Sequence, residues 1–136
     1  MSRDQDEIER VINLYGHILD EREWDLLDEV FAQNGSFVIE SLDVACHGLV
    51  EIDAFMRSAR HPLAHYSTNI VIDVEAGADL ATARVKVWAP WATGSALIGS
   101  YRDELVRTEA GWRFLSRDVR ITERAWRRKA PEPPTP

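Results

Sequence analysis

The fold is decided by four runs of residues in the second half of the chain: HYSTNIVIDVE (65–75), LATARVKVWAPWA (80–92), ALIGSYRDELVR (96–107) and WRFLSRDVRIT (112–122). The first run is rich in β-branched residues, and the second places a small or branched apolar residue at every other position. Both features are typical of half-buried strands. Turn-forming residues at 77–79 and 109–111 separate neighbouring runs. The four runs therefore predict an antiparallel meander.

Helices are predicted ahead of this meander. Ser2 and Gln5 match a capping box, and apolar residues from Ile8 to Leu19 recur at three- and four-residue steps, which predicts an amphipathic first helix. Three further elements are expected: a short helix over 24–31 closed by the turn signal Asn34-Gly35, a strand over 36–40, and a helix from Leu49 that ends before Pro62. Helices followed by a meander indicate an α+β fold.

Composition limits the possible classes of protein. The 136 residues are 45% hydrophobic with a formal net charge of −7, so we expect one domain over 1–126 and a basic, proline-rich tail over 127–136. The acidic balance argues against a nucleic-acid partner, and no apolar run approaches the ~20 residues of a membrane span. Cys46 is the single cysteine and is given no role. Because the start of the chain lacks a signal-peptide pattern, we expect a cytoplasmic protein.

His65 is the candidate catalytic base, because histidine titrates near neutral pH and is the side chain most often used as a general base. Strand alternation puts Ser67 and Asn69 on the same face as His65, and Ile70, Ile72 and Val74 on the other face. The competing interpretation is a histidine that is merely hydrogen-bonded at the start of a strand.

Asp20 is the candidate partner of that base. It ends the first predicted helix, where the helix dipole disfavours a carboxylate, and pairing with an imidazole would account for its position. It could equally begin the turn into Glu21 and Arg22. The four histidines lack the spacing of a metal-binding helix pair, so no metal site is expected.

Several aromatic residues could line a ligand pocket, although aromatic side chains belong more often to a core. The candidates are Tyr15, Trp24, Trp88, Trp91 and Tyr101.

An ordered set of residues resembles the SnoaL-like family of the nuclear-transport-factor-2-like superfamily. The set is Tyr15 and Asp20, Trp24, Phe31, Gly48, His65-Tyr66-Ser67-Thr68-Asn69, Gly99-Ser100-Tyr101 and Gly111-Trp112-Arg113. The family includes polyketide cyclases, scytalone dehydratase, a bile-acid dehydratase and lindane dehydrochlorinase, together with binding domains that have no catalytic activity. The resemblance implies a cone-shaped α+β barrel, with N-terminal helices packed on a curved, mainly antiparallel sheet.

The resemblance also implies roles for individual residues. It assigns His65 and Asp20 as a catalytic dyad, and Tyr15 and Asn69 as residues that contact the substrate. On an ideal helix Tyr15 and Asp20 point about 140° apart, so the helix would have to bend or unwind for both to face a pocket. The bile-acid dehydratase pattern has a further acid where this chain has Val87-Trp88-Ala89, which leaves Tyr101 or water to protonate a leaving group.

The functional hypothesis is a cofactor-independent lyase or isomerase, dehydratase-like, that acts on a small apolar cyclic molecule. A non-catalytic binding module is the first alternative. The second is an accessory subunit that binds another chain through Tyr66, Ile70 and Ile72. A homo-oligomer, most simply a dimer, is expected because no helix remains to cover the apolar face formed by Ile70, Ile72 and Val74.

Overall fold

The computed structural model describes residues 2–122; the predicted tail and the boundary at 126 lie outside the described residues. Three helices precede or interrupt the strands: α1 (Arg3–Asp20), a 3₁₀ helix (Trp24–Glu29) and α2 (Leu49–Ser58), with a one-turn 3₁₀ segment at Glu40–Leu42. Six strands follow one another along the chain: β1 (Phe31–Ile39), β2 (Val44–His47), β3 (Tyr66–Asp73), β4 (Leu80–Pro90), β5 (Ala96–Thr108) and β6 (Gly111–Ile121).

Helix α1 begins at the predicted capping box. The Ser2 hydroxyl accepts a hydrogen bond from the Gln5 backbone N–H at 3.1 Å, and the Gln5 side chain accepts one from the Ser2 N–H at 3.2 Å. These bonds satisfy two N–H groups that have no partner within the helix. The apolar stripe of the helix, which includes Ile8, Ile12 and Ile18, is fully buried against the sheet.

The strands form one curved sheet in the order β2-β1-β6-β5-β4-β3. Strands β3 to β6 are the predicted antiparallel meander, and β1 joins it by parallel pairing with β6. The α+β fold is therefore confirmed. The sheet is unclosed, with β2 and β3 at opposite edges, so it does not form a complete barrel.

The prediction for residues 30–40 is wrong in its boundaries. The short helix ends at Glu29, and the chain enters β1 directly at Phe31. Val30 and Phe31 continue the apolar pattern of the helix, but both are buried core residues, and Phe31 pairs with Phe114 of β6. Asn34-Gly35 does not end an element; it lies within β1, where the register with β6 shifts.

The prediction of an uncovered apolar face at Ile70, Ile72 and Val74 is also wrong. Asn69 adopts a left-handed conformation with φ of 52°, and the register between β3 and β4 shifts between Thr68 and Val71. This bulge reverses the alternation of the strand, so all three apolar residues pack against the core.

Tyr66 remains exposed on the outer face. The surface proposed for an accessory subunit is therefore divided between the two faces of the sheet. Among residues 2–122, no helix is both long and apolar enough to span a membrane.

Candidate active site

An apolar cavity of about 130 Å³ lies between the helices and the inner face of the sheet. Aliphatic and aromatic side chains make up most of its wall, including Leu19, Phe37, Ile39, Phe55, Met56, Ala89, Trp91, Leu97, Val119 and Ile121. Five polar or charged side chains interrupt this wall: Tyr15, Arg60, His61, His65 and Tyr101. Pockets that bind small molecules have this composition, an apolar lining with a few polar groups.

His65 and Asp20 are hydrogen-bonded to each other. The His65 Nδ1 lies 2.6 Å from Asp20 Oδ1, and the His65 backbone N–H donates to Asp20 Oδ2 at 3.0 Å. Both carboxylate oxygens of Asp20 therefore hold His65, one through the ring and one through the backbone. This contact explains why a carboxylate ends α1 despite the unfavourable dipole.

The hydrogen bond also determines which nitrogen of His65 is basic. A carboxylate only accepts, so Nδ1 carries the proton, and Nε2 of the neutral ring has a free lone pair. Burial lowers the pKa of His65 below its ordinary value of 6.5, against the opposing effect of Asp20. The imidazole is therefore neutral at pH 7 and can accept a proton.

Asp20 lies behind His65 and does not line the cavity, whereas Tyr15 does. Helix α1 runs without interruption to Asp20, so no bend is needed to place the two residues. The separation of about 140° on the helix places Tyr15 at the cavity wall and Asp20 on the far side of His65. Gly16 allows the close approach between this helix and the histidine, because a Cβ at Gly16 would lie 3.0 Å from the His65 carbonyl oxygen.

Tyr15 and Tyr101 form the buried wall beside the base. The Tyr15 ring lies edge-on to His65 at 6.3 Å and to Tyr101 at 5.8 Å between ring centroids. Burial raises the pKa of Tyr101 to about 12 and that of Tyr15 well above its ordinary value. Both hydroxyl groups are therefore protonated at neutral pH and available as hydrogen-bond donors.

A buried ion pair supports the two tyrosines. Arg117 donates two hydrogen bonds of 2.8 Å to Asp103, and both side chains are fully buried. Its guanidinium carbon lies 3.8 Å from the centroid of the Tyr101 ring and 4.3 Å from that of Tyr15. Within residues 2–122 the Arg117 Nη1 has no hydrogen-bond partner, and the surrounding aromatic rings provide a cation–π contact instead.

The comparison with protein families agrees with this architecture. The family model described as the SnoaL-like domain matches residues 1–118. The chain belongs to the SnoaL-like family. The resemblance seen in the sequence is thus confirmed over nearly all of the chain. No curated protein sequence matches this SnoaL-like protein.

Several solved structures have similar folds. An NTF2-like protein with a cystatin-like fold from Novosphingobium aromaticivorans is 25% identical, with a TM-score of 0.74 over 88% of this chain and 82% of that chain. A proposed scytalone dehydratase from the same organism is 21% identical, with a TM-score of 0.71 over 87% and 83% of the two chains. The hexachlorocyclohexane dehydrochlorinase LinA-type3 from Novosphingobium barchaimii is 15% identical, with a TM-score of 0.70 over 87% and 86%. The last two similarities concern the fold alone.

Three of the five predicted ligand contacts of the SnoaL-like protein lie outside the cavity. Trp24 packs against His61 with ring centroids 5.2 Å apart. Trp88 is exposed on the outer face and stacks on Tyr66. Asn69 is exposed at the bulge. Tyr15 and Tyr101 line the cavity beside His65, as does the further candidate Trp91.

Two residues of this site were missed in the sequence. Gly16 lies within a regular helical pattern, and its only sequence signal is a glycine among apolar residues, which can mark close packing. His61 lies on the segment between α2 and β3 and was considered only as a metal ligand. Among the described residues, no three His, Cys, Asp or Glu side chains lie close enough together to hold a metal ion.

Proposed function

We propose that this SnoaL-like protein is an enzyme of the lyase or isomerase type, in which His65 removes a proton from a carbon atom of an apolar cyclic molecule. The observation that carries the proposal is the 2.6 Å contact between Nδ1 of His65 and Asp20, made by a histidine that lines the apolar cavity. A base oriented by a carboxylate on its far side is the arrangement that general-base catalysis requires.

The proton moves from the carbon atom to Nε2 of His65. The ring then becomes an imidazolium, and the negative charge of Asp20 stabilises it at Nδ1. The His65 and Asp20 side chains are only 9% and 23% exposed, so water screens this interaction little. Asp20 keeps its charge and does not take the proton.

The electron pair left by the broken C–H bond needs stabilisation in the apolar cavity. The hydroxyl groups of Tyr15 and Tyr101 can donate hydrogen bonds to an oxygen that gains negative charge, as donors in an oxyanion hole do. In a lyase, the pair forms a double bond while the leaving group departs, and the imidazolium or Tyr101 supplies its proton. In an isomerase, the imidazolium returns the proton to a different carbon.

The size of the cavity limits the substrate. A cavity of about 150 Å³ in an engineered protein core binds benzene, so about 130 Å³ suits a single ring. A dehydratase and a dehydrochlorinase are among the structural neighbours, and both names denote eliminations. The similarity of fold supports this class of reaction without specifying the substrate.

Deuterium exchange with a single-ring ketone tests the proposal. Cyclohexanone in D₂O exchanges the protons next to its carbonyl group, and proton NMR follows the loss of signal. We expect the wild-type protein to accelerate exchange over buffer and His65→Ala to lose about two orders of magnitude of that acceleration. The same pair of proteins is then tested for elimination of water from 3-hydroxycyclohexanone.

His17→Ala is the matched control, because His17 is an exposed histidine on α1 and lies outside the cavity wall. It should retain the wild-type rate. Equal exchange by the wild type and His65→Ala, or no exchange above buffer by either, would contradict the proposal and favour a non-catalytic binding module.

A further inference from the structure

His61 is a second histidine of the cavity wall, and its ring centroid lies 6.3 Å from that of His65. Its Nε2 lies 2.8 Å from the backbone carbonyl oxygen of Met56, in the last turn of α2. Carbonyl groups in the last turn of a helix have no partner within the helix. The contact therefore fixes the ring of His61 while satisfying the helix end.

This contact determines the protonation of the His61 ring. A carbonyl oxygen only accepts, so Nε2 carries the proton, and Nδ1 of the neutral ring is an acceptor. Burial lowers the pKa of His61 and outweighs the hydrogen bond to Met56, which raises it; Arg22 adds to the lowering and Asp20 opposes it. The ring is thus neutral at pH 7. Within residues 2–122, Nδ1 makes no hydrogen bond.

The two histidines share a pattern of ring contacts but differ in the charge of the group that each ring contacts. Each has one nitrogen bound to a fixed acceptor and one lone pair left over. The protonated Nδ1 of His65 donates to the carboxylate of Asp20, which stabilises a positive charge on the ring. The protonated Nε2 of His61 donates to the neutral carbonyl of Met56. His61 is therefore suited to accept a hydrogen bond without taking the proton.

We propose that His61 is a specificity-determining residue whose Nδ1 accepts a hydrogen bond from a hydroxyl group that the substrate keeps throughout the reaction. The inference rests on the proposed function, because it places this hydroxyl on the same ring from which His65 removes a proton. The rings of His61 and His65 are close enough for one six-membered ring to contact both. The substrate class is thus a neutral, hydroxylated single ring, because the mostly apolar wall disfavours a charged group and the exposed Arg60, which lines part of the cavity, repels a cationic donor.

A hydroxyl group that is retained differs from one that leaves. A departing hydroxyl needs a proton, which a neutral acceptor cannot give. His61 would instead select the orientation of the ring, so that one C–H bond points at His65. A substrate without the hydroxyl group would bind in several orientations and react more slowly.

Binding of phenol and anisole tests this inference, because the two probes share a ring and an oxygen, and a methyl group in anisole replaces the hydroxyl hydrogen that phenol can donate. Dissociation constants are measured by ligand-observed NMR for the wild type, His61→Phe and His65→Phe. We expect His61→Phe to weaken phenol binding about tenfold, the effect of one hydrogen bond, and to change anisole binding less than twofold. His65→Phe should retain the wild-type preference between the probes.

The ratio of the two dissociation constants distinguishes two roles of His61: recognition of the hydroxyl group and the contact with Met56 at the end of α2. Loss of the contact with Met56 would weaken the binding of both probes equally. Equal weakening of both probes by His61→Phe, or loss of the phenol preference only in His65→Phe, would overturn the inference. Nitrogen NMR of the wild type gives an answer even if a variant does not fold. Phenol, and not anisole, should shift the Nδ1 resonance of His61, and an unchanged resonance would overturn the inference.

These outcomes are independent of turnover. A phenol preference that depends on His61, in a protein that exchanges no ketone protons, would contradict the proposed function alone. Ketone exchange that depends on His65, with no effect of His61→Phe on the probe ratio, would contradict the inference about His61 alone.

Discussion

Replacement of Gly16 by alanine is expected to separate activity from stability. The added Cβ would lie 3.0 Å from the His65 carbonyl oxygen, so the histidine backbone has to move by a few tenths of an ångström. A misplacement of about 1 Å in a catalytic group can cost about 100-fold in rate. On a logarithmic scale, a shift of about one third of an ångström corresponds to about a fivefold loss.

Stability is expected to change little in the same variant. Alanine in place of glycine in a helix contributes about 1 kcal/mol, and crowding of a packed contact costs about 1–3 kcal/mol. The free energy of unfolding should therefore stay within about 2 kcal/mol of the wild type. Urea unfolding measures this quantity, and cyclohexanone exchange measures the rate.

Asn13→Ala is the matched control, because Asn13 is exposed on the same helix and its replacement improves helix propensity without touching His65. It should retain the full rate. Full activity in Gly16→Ala, with His65 unmoved in its crystal structure, would refute the reasoning about this contact.

Three further predictions follow from the site and the surface. Tyr101→Phe should lower kcat about 100-fold with little change in KM, the usual cost of losing one donor to a developing charge; an unchanged kcat would exclude Tyr101 as that donor. The free energy of unfolding should fall as the pH drops below about 6.5. The pKa values of His61 and His65 are lowered in the folded protein, so these histidines take up protons in the unfolded chain before they do so in the folded one. Above that pH the two histidines do not make the free energy of unfolding depend on pH. Urea titrations across this range check the sign, and a smaller slope is expected in His61→Phe. The homodimer stays a prediction, now with the exposed cross-strand row of Tyr66, Trp88 and Ile98 as the apolar outer surface that would pair; a monomer by light scattering at micromolar concentration would contradict it.

Local patterns were sufficient for most of the secondary structure. The capping box at Ser2 and the alternation in β4 each have one dominant physical cause, which is why helix and strand were predicted there. The run at Val30 and Phe31 continues a helical pattern and also fits a strand, and only pairing with β6 decides between them. The bulge at Asn69 depends on a single backbone angle, which the side-chain pattern does not encode.

The candidate site was harder to predict from local sequence patterns than the secondary structure was. Asp20 and His65 lie 45 residues apart, and neither has a sequence signal stronger than its structural alternative. Family resemblance connected them, and the fold brings them together. The roles of Gly16 and His61 depend on contacts between separate elements, so no periodicity predicts them.

Asp20→Asn tests how much the carboxylate contributes to the base. Two unit charges about 4 Å apart interact by about 4 kcal/mol at an effective dielectric constant of about 20, and each 1.36 kcal/mol changes a rate about tenfold. We therefore expect a loss of up to about three orders of magnitude in exchange rate. Asp28→Asn, at an exposed carboxylate, changes the net charge equally and should leave the rate unchanged.

The central claim is that His65 and Asp20 act as one unit, and a double-mutant cycle on ketone exchange tests it most directly. Rates are measured for the wild type, His65→Ala, Asp20→Asn and the double variant under one set of conditions. Residues that act together are not additive, so the double variant should be hardly slower than His65→Ala, which itself loses at least about 100-fold. A double variant whose loss equals the product of the two single losses, or a His65→Ala variant as fast as the wild type, would contradict the account.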